Sequence, residues 1–364
     1  MFLNKVFCLL VDYEHRSHQS TLNWNCHSGK LAALQDVARA TSLAPRATRH
    51  VATLTGKPFV YTSCNVIVVC CIGWVLKSKN YLKFLKSYLE DRIFYVKLND
   101  AYSCFYDIKA GVPQGSILGP SLYLLYTADV PESESVMTAT FADDTAVLTS
   151  NEDRVEASKT LQTHLDKVHT WMNEWRIKAS ALKSSHITFT LRKQDCPAVN
   201  LGGELLPHCN VVKYLGFHLD RKQTWKTHIQ QKRDQLNYKY KSLEWLLGRK
   251  SRLSVENKTL IYKCVLKPVW TYGIELWGTA KTSNTEILQR FQNSVLKAIV
   301  NAPWFSRMED IHEYLGLNTV KEEINMKTKI YKDRITHHQN KLAQMLSDPP
   351  KTRRLKRLHT WDNL

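Results

Sequence analysis

At 364 residues with 43% hydrophobic content, the chain is long enough for two or three compact units with cores of their own. A net charge of +18 points toward anionic partners such as phosphate backbones. The longest apolar run, Val66 to Leu76, has eleven residues, short of the ~20 that cross a bilayer, so no membrane span is expected.

Charge and cysteines narrow the class further. Residues 221–364 carry 28 Lys+Arg against 13 Asp+Glu, so +15 of the total lies there. Trp225, Tyr238, Tyr240, Trp245 and Trp270 interleave with those cations. That mixture fits a surface that neutralises phosphates and stacks on bases, although a solvated, lysine-rich helical face is the plainer alternative. The nine cysteines include no Cys-x-x-Cys pair, which argues against a zinc site or a disulfide framework and for a reducing, intracellular setting.

In chain order, the apolar Phe2–Val11 is followed at once by Asp12 and Glu14, with no small-residue cleavage site, so a secretory leader is not expected. Residues 37–89 contain no Asp or Glu, and 38–57 show no clean period. Apolar positions at 81, 82, 84, 85, 88 and 89 predict an amphipathic helix. Ile93–Leu98 reads as a strand, with Asn99-Asp100 as a turn. Gly111-Val112-Pro113-Gln114-Gly115-Ser116 places glycines and a proline around an amide, a tight backbone able to approach a ligand, or an ordinary loop. Leu122, Leu124, Leu125 and Tyr126 then suggest a core-packing helix.

Asp143 and Asp144 lie between the β-prone stretches 138–140 and 145–149, which predicts a hairpin with acids at its turn. Adjacent carboxylates repel unless a cation neutralises them; a solvated turn is the bland reading and a metal-dependent nucleotidyl-transfer site the sharp one. A helix is expected to start near Ser150–Asp153, with Leu161, Leu165, Val168, Met172 and Trp175 as its buried stripe. Strands follow at 187–191 and in pairs around Gly202-Gly203 and Leu215-Gly216, and helical patterns occupy 226–247, 254–266, 284–300 and 320–345. The tail Lys351–Arg357 has five basic residues in seven, which suits either a nuclear or RNA-contacting segment or a solvated terminus.

Gly-Val-Pro-Gln-Gly-Ser followed by Phe141-Ala142-Asp143-Asp144 resembles motifs B and C of reverse transcriptases, and more narrowly those of jockey-like non-LTR retrotransposons. Residues 171–178 are similar to the family's motif D, Lys213-Tyr214-Leu215-Gly216 to its motif E, and residues 268–278 and 288–293 to its thumb and post-thumb region. The resemblance runs from about Asn80 to about Leu346, and the tryptophan-rich part after residue 221 favours this group over maturases and telomerases.

The resemblance implies an α/β fold: a right-hand polymerase palm, an antiparallel sheet with helices, followed by an α-helical thumb and C-terminal helical region. On this reading 1–80 is a remnant of the fingers and first palm strand, 81–220 the palm, 221–346 the thumb and post-thumb region, and 347–364 a basic tail. It implies RNA-directed DNA polymerase activity on an RNA template, a DNA primer and deoxynucleoside triphosphates, with two Mg2+ ions, or Mn2+ in their place, in a nuclear and cytoplasmic ribonucleoprotein setting. Asp143 and Asp144 would be the metal ligands, and Lys183 would neutralise or protonate the leaving pyrophosphate unless it is only a surface lysine. Pro113, Gln114, Gly115 and Phe141 would border template and nucleotide, and Leu215 and Gly216 would grip the primer. The family also uses a motif A aspartate at the end of an apolar strand. Val66–Trp74 offers such a strand with no acid, and Asp12, after Val6–Val11, is a chemical stand-in 99 positions before Gly111. Impaired catalysis is therefore expected, with a nucleic-acid-binding remnant as the alternative.

Overall fold

The structure is a computed structural model that describes residues 2–3, 5–12, 79–108, 111–113, 115–344 and 346. The expectations for Val66–Trp74 and the basic tail fall outside these residues, as does Gln114.

A four-stranded sheet orders its strands β10-β2-β8-β7, where β2 is Lys5–Asp12, β7 Val136–Phe141, β8 Asp144–Asn151 and β10 Ser185–Phe189. The hairpin β7–β8 is antiparallel, with Phe141 opposite Asp144. In contrast to the antiparallel sheet expected, β2 runs parallel to both β8 and β10, so the sheet is mixed. The cause is the crossover between β8 and β10, which runs through helix α3 (Arg154–Glu174) and so returns the chain in the same direction. The slot left between them takes the apolar run Val6–Val11, the unbroken pattern of a central parallel strand.

Alternation along β8 divides the core. Val147 faces α3, whose Ala157, Leu161, Leu165, Val168 and Met172 form one buried cluster with it. Ala146 and Leu148 face the other way and join Ile187 and Phe189 in a second cluster that runs on into the C-terminal helices. Helix α3 starts where Asp153 accepts hydrogen bonds from the backbone N–H of Val155 (2.6 Å) and Glu156 (3.4 Å). Upstream, α1 (Lys79–Leu89) packs Leu85 and Leu89 on Leu122 of α2 (Leu118–Tyr126). The strand expected at 93–98 is two short pieces, β3 (Ile93–Phe94) and β4 (Lys97–Leu98), which pair with β6 (Tyr106–Asp107) and β5 (Ala101–Tyr102) around Asn99 at φ 53°.

The two later strand pairs are hairpins: β11 (Asn200–Leu201) with β12 (Glu204–Leu205), and β13 (Val211–Tyr214) with β14 (Phe217–Asp220). Asp220 then sets the direction of the chain. Its carboxylate accepts hydrogen bonds from Thr224 N–H (2.9 Å), the Thr224 hydroxyl (3.0 Å) and Trp225 N–H (3.0 Å). Those bonds hold Gln223 and Trp225 in the left-handed region, at φ 48° and 63°, and launch α4 (Lys226–Leu247).

The rest is helical. The segment expected as one helix over 254–266 is α5 (Val255–Ile261) followed by a π-helical turn, Tyr262–Leu266, and α6 (Lys267–Thr271). Pro268 supplies the reason, since it has no N–H for the Cys264 carbonyl and its ring crowds that oxygen. Then come α7 (Ile274–Trp277), α8 (Thr282–Ile299), α9 (Met308–Leu315), α10 (Val320–Thr336) and α11 (Lys341–Gln344). Lys267 donates to Glu323 at 2.9 Å, joining α6 to α10 through a carboxylate only 1% exposed.

Three aromatics expected at a nucleic-acid surface prove structural. Trp225 and Trp270 are 4% and 1% exposed, and Tyr240 packs edge-on against Phe291. Indoles at core-facing helical phase have more to gain from burial than from solvent. Tyr238 and Trp245, at 79% and 74%, remain available.

Two expectations about stability follow. Asp220→Ala leaves three donors without their acceptor at a strained turn and is expected to cost about 2–3 kcal/mol in urea unfolding. Burial holds His186 down to about 4 and His228 down to about 3, the former with help from His208 and the latter from Lys232 and His218. Both are neutral when folded but protonate near 6.5 when unfolded, so their contribution is complete above that value and fades as pH falls toward 4. Each histidine removes up to about 1.4 kcal/mol per pH unit in that window. The urea midpoint is expected to fall between pH 7.5 and 5.0, and less steeply in His186→Leu.

Candidate active site

The turn of the β7–β8 hairpin holds only Ala142 and Asp143, and Ala142 sits at φ 49°, a conformation an L-residue adopts at some cost. A turn this short fixes where both carboxylates lie: Asp143 in the turn, Asp144 as the first residue of β8, both half-buried. Phe141 closes β7 beside them and is largely exposed.

Two tyrosines mark what faces this turn. Tyr123 on α2 has its hydroxyl pushed up to about 12, first by burial and then by the negative charges of Asp143 and Asp144. Tyr214, the last residue of β13, is raised by burial and then by Asp144. The acid pair therefore lies within electrostatic reach of both α2 and the β13–β14 hairpin.

The segment leading into α2 is the expected glycine-proline loop. Gly111 and Gly115 have φ of 87° and 81°, and Arg92 donates to the Gly111 carbonyl at 2.5 Å. Pro113 O accepts the Ser116 hydroxyl at 2.9 Å, and Ser116 Oγ accepts Gly119 N–H at 3.0 Å, which opens the helix. Pro113 and Gly115 are thus three to five residues before the start of a helix that reaches the acid pair.

At the other flank, Leu215 and Gly216 form the two-residue turn of β13–β14, with φ of 45° and 81°. The Tyr272 hydroxyl donates to Leu215 O at 2.9 Å, and its ring stacks on Phe217 at 5.2 Å. Lys183 ends a short 3-10 turn, Ala181–Lys183, and is exposed. Ser185 pairs with Phe7, which pairs with Ala146, so Lys183, just before β10, stands toward the same end of the sheet as Asp144.

Asp12 does not join the site. Its backbone lies opposite Asn151, seven positions along β8 from Asp144, or roughly 23 Å. The parallel direction of β2 puts the Asp12 backbone at the far end and that of Lys5 opposite Asp144. Magnesium keeps several waters and takes one or two carboxylates plus substrate phosphates, a demand that Asp143 and Asp144 fit for one ion. Among the described residues no three His, Cys, Asp or Glu side chains group closely enough to hold a metal by themselves.

Sequence reasoning missed Tyr123, Tyr214 and Tyr272. Tyr214 was open to inference, since alternation places it on the inward face of β13 with Val212. Helix α2 is nearly all apolar, so its sequence does not reveal which face meets the acids.

Comparison with known proteins identifies the family. Residues 74–219 match the family described as reverse transcriptase (RNA-dependent DNA polymerase). Over 296 residues the chain is 39% identical to the probable RNA-directed DNA polymerase from transposon X-element of Drosophila melanogaster, a match covering 79% of this chain and 33% of that relative. Over 314 residues it is 37% identical to the RNA-directed DNA polymerase from mobile element jockey of Drosophila funebris, covering 80% and 34%. The corresponding protein from transposon BS of Drosophila melanogaster is 37% identical over 287 residues, covering 76% and 32%. The chain spans about a third of the length of these curated relatives. By the family match over residues 74–219 and these identities, it carries a reverse transcriptase domain similar to those of jockey-like non-LTR retrotransposons.

Proposed function

We propose that this chain is the polymerase part of a non-LTR retrotransposon protein and copies RNA into DNA by nucleotidyl transfer at the Asp143–Asp144 turn. The observation that carries this is convergence: Tyr123 of the helix after the glycine-proline loop and Tyr214 of the next hairpin both lie within electrostatic reach of the acid pair. On this reading 81–220 serves as palm and 221–346 as thumb and post-thumb region, packed through one continuous core.

Asp143 and Asp144 would hold magnesium, which would supply positive charge to offset that building on the reacting phosphate oxygens. The chain's own groups position the reactants. Pro113, Gln114 and Gly115 border the template and the incoming nucleotide, Phe141 lies against the nucleotide beside the acids, and the Leu215–Gly216 turn grips the DNA primer. Lys183, an exposed amine at the same end of the sheet, neutralises or protonates pyrophosphate as it leaves.

The position of Asp12 favours a second reading, in which the chain grips nucleic acid and turns over slowly or not at all. In backbone register Asp12 stands opposite Asn151, at the other end of the sheet from Asp144. Both readings meet one assay: primed poly(rA) with dTTP and magnesium, for the chain and for Asp143→Asn. The polymerase reading expects incorporation that falls at least about 100-fold in the variant, a loss of roughly 2.7 kcal/mol of transition-state stabilisation. Salt-sensitive binding without incorporation by either protein would select the second reading. Incorporation equal in both would end the assignment of chemistry to this turn.

A further inference from the structure

Away from the acid pair, one aromatic surface is left out of the core. Trp304 and Phe305, between α8 and α9, are 85% and 72% exposed, with their rings edge-on at 5.9 Å. The backbone beneath them is pinned, because Lys297 Nζ donates to Trp304 O at 2.8 Å and Arg249 donates to Ala302 O at 3.1 Å. At the other end of α9, Tyr314 is 69% exposed, and Leu260 of the neighbouring α5 is 57% exposed. Between α5 and α9 lies a hollow of about 380 Å³, lined by Val255, Leu260, Tyr314 and Leu315, with Glu256 and Lys263 as its charged members. Aromatic and aliphatic side chains exposed together around a hollow mark an interaction surface, whereas singly scattered ones do not.

Charge decides what such a surface takes. Residues 221–364 are strongly basic, yet α9 itself holds three acids, Glu309, Asp310 and Glu313, and no lysine or arginine. All three are exposed, and among the described residues none is in an ion pair. Helical phase sets them together on the solvent arc that they share with Tyr314. Glu309 and Asp310 suit a first turn, but Glu313 stands in the last, where the helix dipole opposes a carboxylate. Lys263 balances Glu256 in the hollow and Arg307 precedes the helix, so acids outnumber cations on this face. A fitting occupant combines cations with apolar side chains. One segment of the chain outside the described residues does so: 347–364 carries Lys351, Arg353, Arg354, Lys356 and Arg357, with Leu355, Leu358 and Trp361 recurring every third residue. It follows the buried Leu346, and an extended segment of that length reaches about 60 Å.

We propose that the basic tail, residues 347–364, docks on the acidic and aromatic face of α9 and α5. Its cations meet Glu309, Asp310 and Glu313, and its leucines and Trp361 meet the Trp304–Phe305 pair, Tyr314 and the hollow. So seated, the five cations face carboxylates instead of phosphates. The assignment stands apart from the polymerase reading, since no group of the acid-pair site takes part.

The test uses the full chain at low salt, where exposed charges are least screened, as an equal mixture of unlabelled and nitrogen-15-labelled protein. Carbodiimide coupling joins carboxylates to amines in contact, and is expected to link Lys351 or Lys356 to Glu309, Asp310 or Glu313 within one isotope. Limited trypsin digestion then reads how well the basic sites of the tail are covered. The double variant Glu309→Gln, Glu313→Gln and, separately, Trp304→Ala are expected to speed tail cleavage several-fold. The thermal midpoint should stay constant, because all three side chains are exposed. The exposed Glu286→Gln on α8 serves as the control and should leave cleavage unchanged. Links found only between isotopes would give the face to the tail of a second copy and overturn docking within one chain. Cleavage slowed only by added RNA, and indifferent to the variants, would assign the tail to nucleic acid and overturn the seat as well. Absence of these links, with equal cleavage in every variant, would overturn the proposal outright.

Discussion

Burial of β8 on both faces is the constraint from which the rest of this structure follows. Six of its eight residues are buried, so the strand cannot slip by one position without exchanging the faces that carry Val147 and Ala146–Leu148. Because β8 begins at Asp144, locking its register also locks the acid pair at the sheet's end. A hairpin with only two turn residues leaves Asp143 no freedom to retreat. Apolar packing on one side of the turn thus fixes polar chemistry on the other.

The same logic explains why the sheet and the helices cannot be separated cleanly at residue 220. The cluster that starts on Ala146 and Leu148 continues through Tyr214 and Phe217 to Trp225, Trp270 and Trp277. Asp220 reinforces the joint by holding two left-handed residues at the start of α4, and Tyr272 returns from the helices to bond Leu215. A helical unit so attached moves with the hairpin. That rigidity matters for any reaction in which a strand end must stay aligned with a pair of carboxylates, because misplacement by about 1 Å can cost about 100-fold in rate.

Charge and aromaticity separate once the chain is folded. Read along the sequence, the tryptophans and lysines after residue 221 form one mixed population. Among the described residues three of the five indoles there, Trp225, Trp270 and Trp277, turn inward, while Tyr238 and Trp245 stay on the surface of α4 and Trp304 is exposed. Helical phase decides the matter, and for indoles it is hard to read because they suit core and surface alike. The mixed direction of the sheet was hidden for a related reason. Val6–Val11 announces a buried strand, but nothing local says which way it enters, and its direction decides whether Asp12 arrives at the acid pair or at the opposite end.

The sequence by itself determined the local elements whose signals are short-range. These were the acid hairpin, a helix start near Ser150–Asp153, the glycine turns at 202–203 and 215–216, and the long helix 226–247. Each depends on contacts within a few residues, where side-chain chemistry and backbone sterics suffice. Only the tertiary structure decided which distant groups meet: Tyr123 and Tyr214 with the acids, Tyr272 with Leu215, Lys232 with Tyr272, Glu323 with Lys267. Those pairings join residues up to tens of positions apart, and they form because burying two apolar faces against each other brings the polar groups beside them into register.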